Sequence, residues 1–241
     1  MKVYCATNIG CVRTLNEDSY YMPVASEKYV AVADGMGGHQ AGEVASQMAV
    51  RAFAEVLAGE RVPSEERMRA AFARANREVY AEAERDSAKR GMGTTMTALW
   101  FGADAVILGH VGDSRAYRLR DGKIMRASVD HSYVEELVRK GVITPEMALT
   151  HPQRNVITRS IGPWPRVETD VEKFDYRESD VWLLCSDGLT RYVTDEEIEF
   201  ALNSPNAWNE KVGALIDASL ERGGADNVTV LLITGERDGN E

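Results

Sequence analysis

Residues 29–57 read Y-V-A-V-A-D-G-M-G-G-H-Q-A-G-E-V-A-S-Q-M-A-V-R-A-F-A-E-V-L and change character twice. Tyr29–Ala33 is an unbroken apolar run of strand length, which predicts a buried strand. It ends in Asp34, and three of the next four residues are glycine. From about Ala41 the pattern becomes helical: Val44, Ala45, Met48, Ala49, Ala52, Phe53, Val56 and Leu57 follow i, i+3/i+4 spacing. A turn accounts for one glycine but not for three. Nor does it explain a near copy at 183–188, L-L-C-S-D-G.

Outward from that stretch the chain reads as groups of strands separated by pairs of helices. Residues 3–6 and 19–23 are predicted strands, as are 94–101, 105–111, 115–120, 167–174, 180–185 and 228–234. Ser64 after Pro63 is an expected N-cap for a second helix with Met68, Ala71, Phe72, Ala75, Val79 and Tyr80 on its apolar face. Asp121-Gly122 between two strand-like runs predicts a hairpin. Ser132…Glu135 and Thr194…Glu197 have capping-box spacing, Thr144-Pro145 starts a short helix, and residues 150–166 form an ordered loop. Ser204-Pro205 is expected to start the last helix, which stops at Gly223-Gly224. The βαβα alternation of a parallel sheet is missing, so the fold class is α+β, with antiparallel sheets covered by helices.

Composition narrows the function. The 241 residues carry 28 Lys plus Arg against 38 Asp plus Glu, a formal charge of -10. Such a chain does not bind nucleic acid or anionic membrane by general electrostatics. No apolar stretch approaches the roughly 20 residues of a membrane span, and the N-terminus has no signal-peptide core, so a cytoplasmic location is expected. Three cysteines, Cys5, Cys11 and Cys185, without a C-x-x-C, argue against a disulfide framework or a cysteine zinc site.

The negative charge has a pattern. Asp34 and Asp187 each follow a strand, Asp226 precedes the last one, Asp113 lies between two strands in V-G-D-S-R, and Glu17 and Asp18 stand together in N-E-D. One Asp-Gly pair is ordinarily a solvated turn, and Asp121 illustrates this. Six carboxylates brought together by strand ends would repel one another, and cations would relieve that repulsion. Hard oxygen ligands without nearby Cys or paired His point to Mg²⁺ or Mn²⁺. Two such ions about 4 Å apart can activate a bridging water and clamp a phosphoryl group. The glycines after Asp34 let the backbone approach an ion, with the Gly35 carbonyl as a further ligand. Arg13, just before N-E-D, is placed to hold two phosphate oxygens, although an arginine alone is more often a surface residue.

G-C-V-R-T-L-N-E-D-S, V-A-D-G-M-G-G-H-Q-A-G-E-V-A-S, G-T-T-M-T-A, G-H-V-G-D-S-R-A-Y, D-H-S, R-N-V-I-T-R-S-I-G, L-L-C-S-D-G-L and A-D-N-V-T-V follow one another in order. The series resembles the motifs of metal-dependent serine/threonine protein phosphatases, the PPM or type 2C family, in its compact bacterial form. It covers about residues 3 to 234. The resemblance implies a four-layer αββα sandwich in one catalytic domain, 1–236, followed by a polar tail, 237–241. It implies two core metal ions. Asp34 would bridge them, Asp187 and Asp226 would complete the first site, and Glu17 and the Gly35 carbonyl the second. Asp18 would hold metal-bound waters, and Asp113 with Asp187 a third, weaker ion. Arg13 would take the substrate phosphate, and about 133–165 would be a mobile flap. Animal members carry a histidine where this chain has Met36. Methionine cannot protonate a leaving group, so the general acid stays open; His39 is the nearest alternative, while His110, His131 and His151 have structural readings.

The resulting expectation is hydrolysis of phosphoserine and phosphothreonine by direct attack of a metal-bridging water, without a phosphoenzyme. The substrates would be phosphoproteins, including targets of a bacterial Ser/Thr kinase and the kinase itself, and the protein a monomer. One rival is a catalytically weak or inactive member that binds phosphoprotein as a regulator, against which the complete ligand set counts. A nucleotide or nucleic-acid hydrolase is opposed by the acidic surface and the lack of a basic patch.

Overall fold

In the computed structural model, which describes residues 1–37 and 41–235, the apolar run at 29 is the third strand, β3 (Tyr29–Met36). Its side chains alternate between two cores. Tyr29, Ala31 and Ala33 pack under α1 (Ala41–Leu57) and α2 (Glu65–Arg85), among Ala45, Phe53, Met68 and Phe72. Val30 and Val32 point the other way, onto Trp182, Leu184, Leu231 and Ile233 of a second sheet. A strand sandwiched on both faces has no polar side to show, which is why its sequence reads as a continuous apolar run. Each fully buried Val or Leu of this kind stabilises the fold by about 1.5–3 kcal/mol.

One sheet orders its strands as β1 (Lys2–Asn8), β11 (Val228–Thr234), β10 (Val181–Cys185), β7 (Arg115–Arg120) and β8 (Lys123–Arg126). The other runs β2 (Asp18–Tyr21), β3, β5 (Met96–Phe101), β6 (Ala105–Val111) and β9 (Asp170–Asp175), with the short β4 (Gly93–Thr94) beside β3. Every strand pairing among the described residues is antiparallel. A third core lies under α6 (Asp195–Asn203) and α7 (Trp208–Glu221), where Ile198, Val212, Leu215 and Ile216 cover Leu183, Val230 and Leu232. Three apolar cores between four layers make an αββα sandwich, as expected. The connection from β8 to β9 carries α3 (Tyr133–Arg139) and α4 (Pro145–Leu149), and α5 (Asp187–Thr190) follows β10. No described helix is long and apolar enough to cross a membrane.

Several local expectations shift. β3 runs on through Asp34 to Met36, so Asp34 is inside the strand, paired with Asp18 of β2. The predicted strand at 94–101 divides at Thr95, whose N–H turns to the Asp34 carbonyl at 2.9 Å. Thr194 and Glu197 form a complete capping box, at 3.3 and 2.9 Å. Ser132 caps the Glu135 N–H, but the Glu135 carboxylate turns to Arg126. The last helix starts at Trp208, not at Ser204, which closes α6. The Glu210 carboxylate accepts from the Ala207 N–H at 3.3 Å, one half of a capping box that Ala207, without a side-chain acceptor, cannot complete. His39 and the tail 237–241 lie outside the described residues.

Candidate metal centre

The two sheets are stitched at one end by polar side chains rather than by apolar contact. Asp18 Oδ2, on β2, accepts from Ser186 Oγ and Thr229 Oγ1 of the other sheet, each at 2.7 Å. Thr229 and Ser186 also bond to each other, through Ser186 N–H to the Thr229 carbonyl at 3.1 Å and Thr229 N–H to Ser186 Oγ at 3.0 Å. The Asp34 N–H donates to Thr95 Oγ1 at 2.9 Å, and Thr95 Oγ1 meets Ser114 Oγ at 2.7 Å. That chain leads to the turn bearing Asp113. Asn227 works on the other side. Its Oδ1 accepts from Glu17 N–H at 2.8 Å, and its Nδ2 donates to the Ile9 and Leu15 carbonyls at 2.9 Å, so it ties down the loop that carries Arg13.

All six acidic residues singled out by sequence lie at this end. Burial comes first in raising Asp34 well above the ordinary carboxylate range, followed by the charges of Asp18, Asp187, Asp113 and Asp226. Burial likewise lifts Asp18 to about 7, with Asp187 and Asp226 adding to it against the bonds from Thr229 and Ser186. Asp113 is raised by burial and then by Asp187. Glu17 is raised by burial although Arg13 opposes it, and Asp187 by burial although Arg191 opposes it. Groups that perturb one another in this way share a single field.

Among the described residues, Arg13 and Arg191 pair directly with these carboxylates. Arg13 donates from Nη2 to Asp226 Oδ2 at 3.0 Å and from Nε toward Oδ1 at 2.9 Å, while its Nη1 stands 3.8 Å from Glu17 Oε2. Arg191, which the sequence reading passed over, donates from Nε to Asp187 Oδ2 at 2.9 Å and from Nη2 to the same oxygen, and its Nη1 lies 3.2 Å from Asp226 Oδ2. Its signal in the sequence was its position four residues after Asp187, one helical turn on.

The donor set fits a hard divalent cation. Asp18 Oδ1, Asp113 Oδ1 and Asp187 Oδ1 are buried without a hydrogen-bond partner, an expensive state for carboxylate oxygens unless a cation takes them up. Among the described residues no three acidic, imidazole or thiol groups already close around one point; Arg13 and Arg191 hold the outer oxygens instead. Asp113 is 7% exposed, and its unpartnered Oδ1 speaks against a simple turn cap. Gly35 is required for a reason the sequence did not reveal: a Cβ there would lie 2.1 Å from the Gly42 carbonyl oxygen and 2.6 Å from that of Glu17. The glycine admits the start of α1, and the Gly35 N–H donates to Glu17 O at 3.1 Å. His110 and His131 belong to another network. His110 Nε2 faces the Val129 carbonyl at 3.0 Å, so it carries the proton. His131 Nδ1 accepts from Gly112 N–H at 3.0 Å, which leaves its Nε2 to donate to Asp170 at 3.0 Å.

Comparison with known proteins gives a consistent picture. The family Protein phosphatase 2C matches residues 12–227. The serine/threonine phosphatase stp of Listeria monocytogenes is 39% identical, over 96% of this chain and 94% of that one. The crystal structure of the Mycobacterium tuberculosis serine/threonine phosphatase PstP/Ppp superposes with a TM-score of 0.89 at 40% identity, covering 98% of this chain and 99% of that one. A structure of the catalytic domain of PstP in complex with two manganese ions has a TM-score of 0.87 at 40% identity, covering 96% of each chain.

Proposed function

The chain belongs to the protein phosphatase 2C family and is a metal-dependent serine/threonine protein phosphatase; from that premise we propose which of its residues carry the reaction. The observation that carries the assignment is the set of three buried, unpartnered carboxylate oxygens, on Asp18, Asp113 and Asp187, in one shared field with Asp34. Asp34, Asp187, Asp226, Glu17 and the Gly35 carbonyl hold two Mn²⁺ or Mg²⁺ ions, and Asp18 orders water beside them. When bound, these ions supply Lewis-acid charge and a water activated for direct attack on phosphorus. Arg13, 46% exposed at the rim, exchanges its contact with Asp226 for two oxygens of the substrate phosphate. Asp113 holds a third, weaker ion together with Asp187. An Asp113→Ala variant with the parent's metal dependence on a phosphopeptide would remove that ion from the scheme.

Residues 1–236 form the catalytic unit, with 133–165 as a flap that meets the protein part of the substrate. The flap base is paired to the body through Thr94 and Ile161, whose N–H and C=O groups exchange bonds of 2.9 and 2.8 Å. Met36 offers no proton, so a leaving group of low pKa should leave more readily than a serine alkoxide. The substrates are phosphoproteins. A Ser/Thr kinase and its targets are the counterparts we expect for a monomeric, cytoplasmic enzyme. The test is turnover of a phosphothreonine peptide. It should require Mn²⁺ or Mg²⁺ and stop on chelation, and full turnover by metal-stripped protein would overturn the assignment.

A further inference from the structure

Arg191 has no role in the phosphate chemistry above, yet it holds two of the carboxylates. Its Nε and Nη2 both donate to one oxygen of Asp187, Oδ2, and leave Oδ1 buried and unpartnered. Its Nη1 reaches Asp226 Oδ2 at 3.2 Å, so one planar group spans the acidic residue that follows β10 and the one that precedes the antiparallel β11, at the same end of the sheet. A carboxylate on its own rotates broadly about its last bond. Arg191 supplies two side-chain donors to Asp187, from Nε and Nη2. Arg191 caps α5, a helix of four residues, and places its fork one turn beyond Asp187.

We propose that Arg191 is a positioning residue for the metal centre: it fixes Asp187 by Oδ2 and couples it to Asp226, so that Oδ1 is presented ready-oriented to the ion. The inference rests on Asp187 and Asp226 being ion ligands. Two effects of Arg191 on an entering cation oppose each other. Its charge repels the cation, but the guanidinium is delocalised, 29% exposed and spent on the carboxylates, so water and Asp187 screen it. Its grip acts directly on a ligand atom, and loss of such outer partners weakens metal binding by roughly 10–100-fold. Orientation therefore outweighs repulsion. Lysine cannot replace the fork, because a point charge on a flexible stem does not fix a carboxylate plane.

The experiment is Mn²⁺ titration of the full chain by calorimetry, with turnover of a phosphothreonine peptide measured alongside. Arg191→Met keeps the apolar stem, and Arg191→Lys keeps the charge. Both should bind Mn²⁺ roughly tenfold or more weakly than the parent. At saturating Mn²⁺ both should recover most of kcat with KM unchanged, a split that general damage to the fold would not produce. Parent-like affinity in both variants, or tighter binding in Arg191→Met, would overturn the inference. So would a raised KM at saturating metal, which would make Arg191 a substrate ligand. Asp187→Asn is measured in the same series. If Asp187→Asn binds Mn²⁺ like the parent, the ligand assignment fails. If it loses the ion while the Arg191 variants keep it, only the inference about Arg191 fails.

Discussion

Two charged regions meet at the turn after β6, and they solve opposite problems. On one side lie the six carboxylates with Arg13 and Arg191, where burial and neighbouring carboxylates raise the proton affinity of Asp34 and Asp113. On the other side each charge has a partner. Arg115 holds Asp130 through bonds of 3.1, 3.1 and 2.8 Å, Arg126 meets Asp130 at 3.0 Å, and His131 and Arg159 converge on Asp170. Gly112 belongs to the second region through His131, while Asp113, the next residue, belongs to the first. The difference teaches how to tell a site from a strut. A self-neutralised network needs nothing more to be stable, whereas an excess of buried like charge is tolerated where a ligand relieves it.

The largest expected effect breaks the first region. Asp34→Asn should reduce phosphopeptide turnover by roughly a thousandfold or more, because under the proposed assignment the centre loses its shared ligand. In chelator, however, the same variant should unfold at equal or higher denaturant concentration than the parent, since a repelling charge is gone. A destabilised Asp34→Asn with substantial activity would invert the contrast between site and strut.

Breaking the second region should do the reverse. Asp130→Ala leaves Arg115 only the Tyr117 hydroxyl and Asp195 at 3.8 Å and should cost about 2–3 kcal/mol, below the full range for a buried pair because Arg115 keeps those partners and 22% of its surface in water. The loss should be the same with and without Mn²⁺ in urea unfolding, and kcat at saturating metal should change little. A smaller effect sharpens the border between protein and substrate. Arg13→Ala should weaken inhibition by inorganic phosphate about tenfold, and Arg13→Lys should restore only part of it. Unchanged phosphate inhibition in Arg13→Ala would return Arg13 to the surface residues.

How much of this was legible in the sequence follows from which forces are local. The α+β class, antiparallel sheets covered by helices, was readable because strands come in groups, with β3 and β10 buried on both faces and therefore continuous in apolar residues, whereas the four-layer αββα stack came from the motif resemblance. The acidic members of the site were readable because they stand at or near strand ends, four of them, Asp18, Asp34, Asp113 and Asp187, with a Gly or Ser beside them. Arg191 was passed over although its pairing with Asp187 is a local i, i+4 one, whereas Asn227 was not readable because its role arises across the fold: it holds the Ile9 and Leu15 carbonyls more than 200 residues away in the chain. The glycine at 35 has a second reason that was not legible, because its neighbour is the Gly42 carbonyl on the next element, and sequence spacing carries no information about that approach. The start of α7 was misplaced because Ser-Pro is a good helix opening in isolation, while here Ser204 is already used in ending α6.

The smallest effect tests the second region by pH. His110 is buried; burial first, and then its neighbour His131, push the imidazole from 6.5 down to about 4. The unfolded chain therefore takes up a proton that the folded chain refuses between those values. Since the unfolded state binds more protons in that window, stability falls as pH falls from about 6.5 to about 4. The share due to His110 should be roughly 2 kcal/mol between about pH 7 and about pH 5. In His110→Gln the amide can still donate to the Val129 carbonyl, which the imidazole reaches at 3.0 Å, and nothing titrates. The variant should be less stable than the parent near neutral pH, through the lost hydrogen bond between Nδ1 and Thr97 Oγ1, yet lose less on acidification. Urea unfolding in chelator at both pH values measures this as a difference of differences, in which the carboxylates of the metal centre, common to both proteins, cancel. Equal acid sensitivity in parent and variant would show that His110 is protonated without cost, and the second region would then be less tightly closed than its hydrogen bonds indicate.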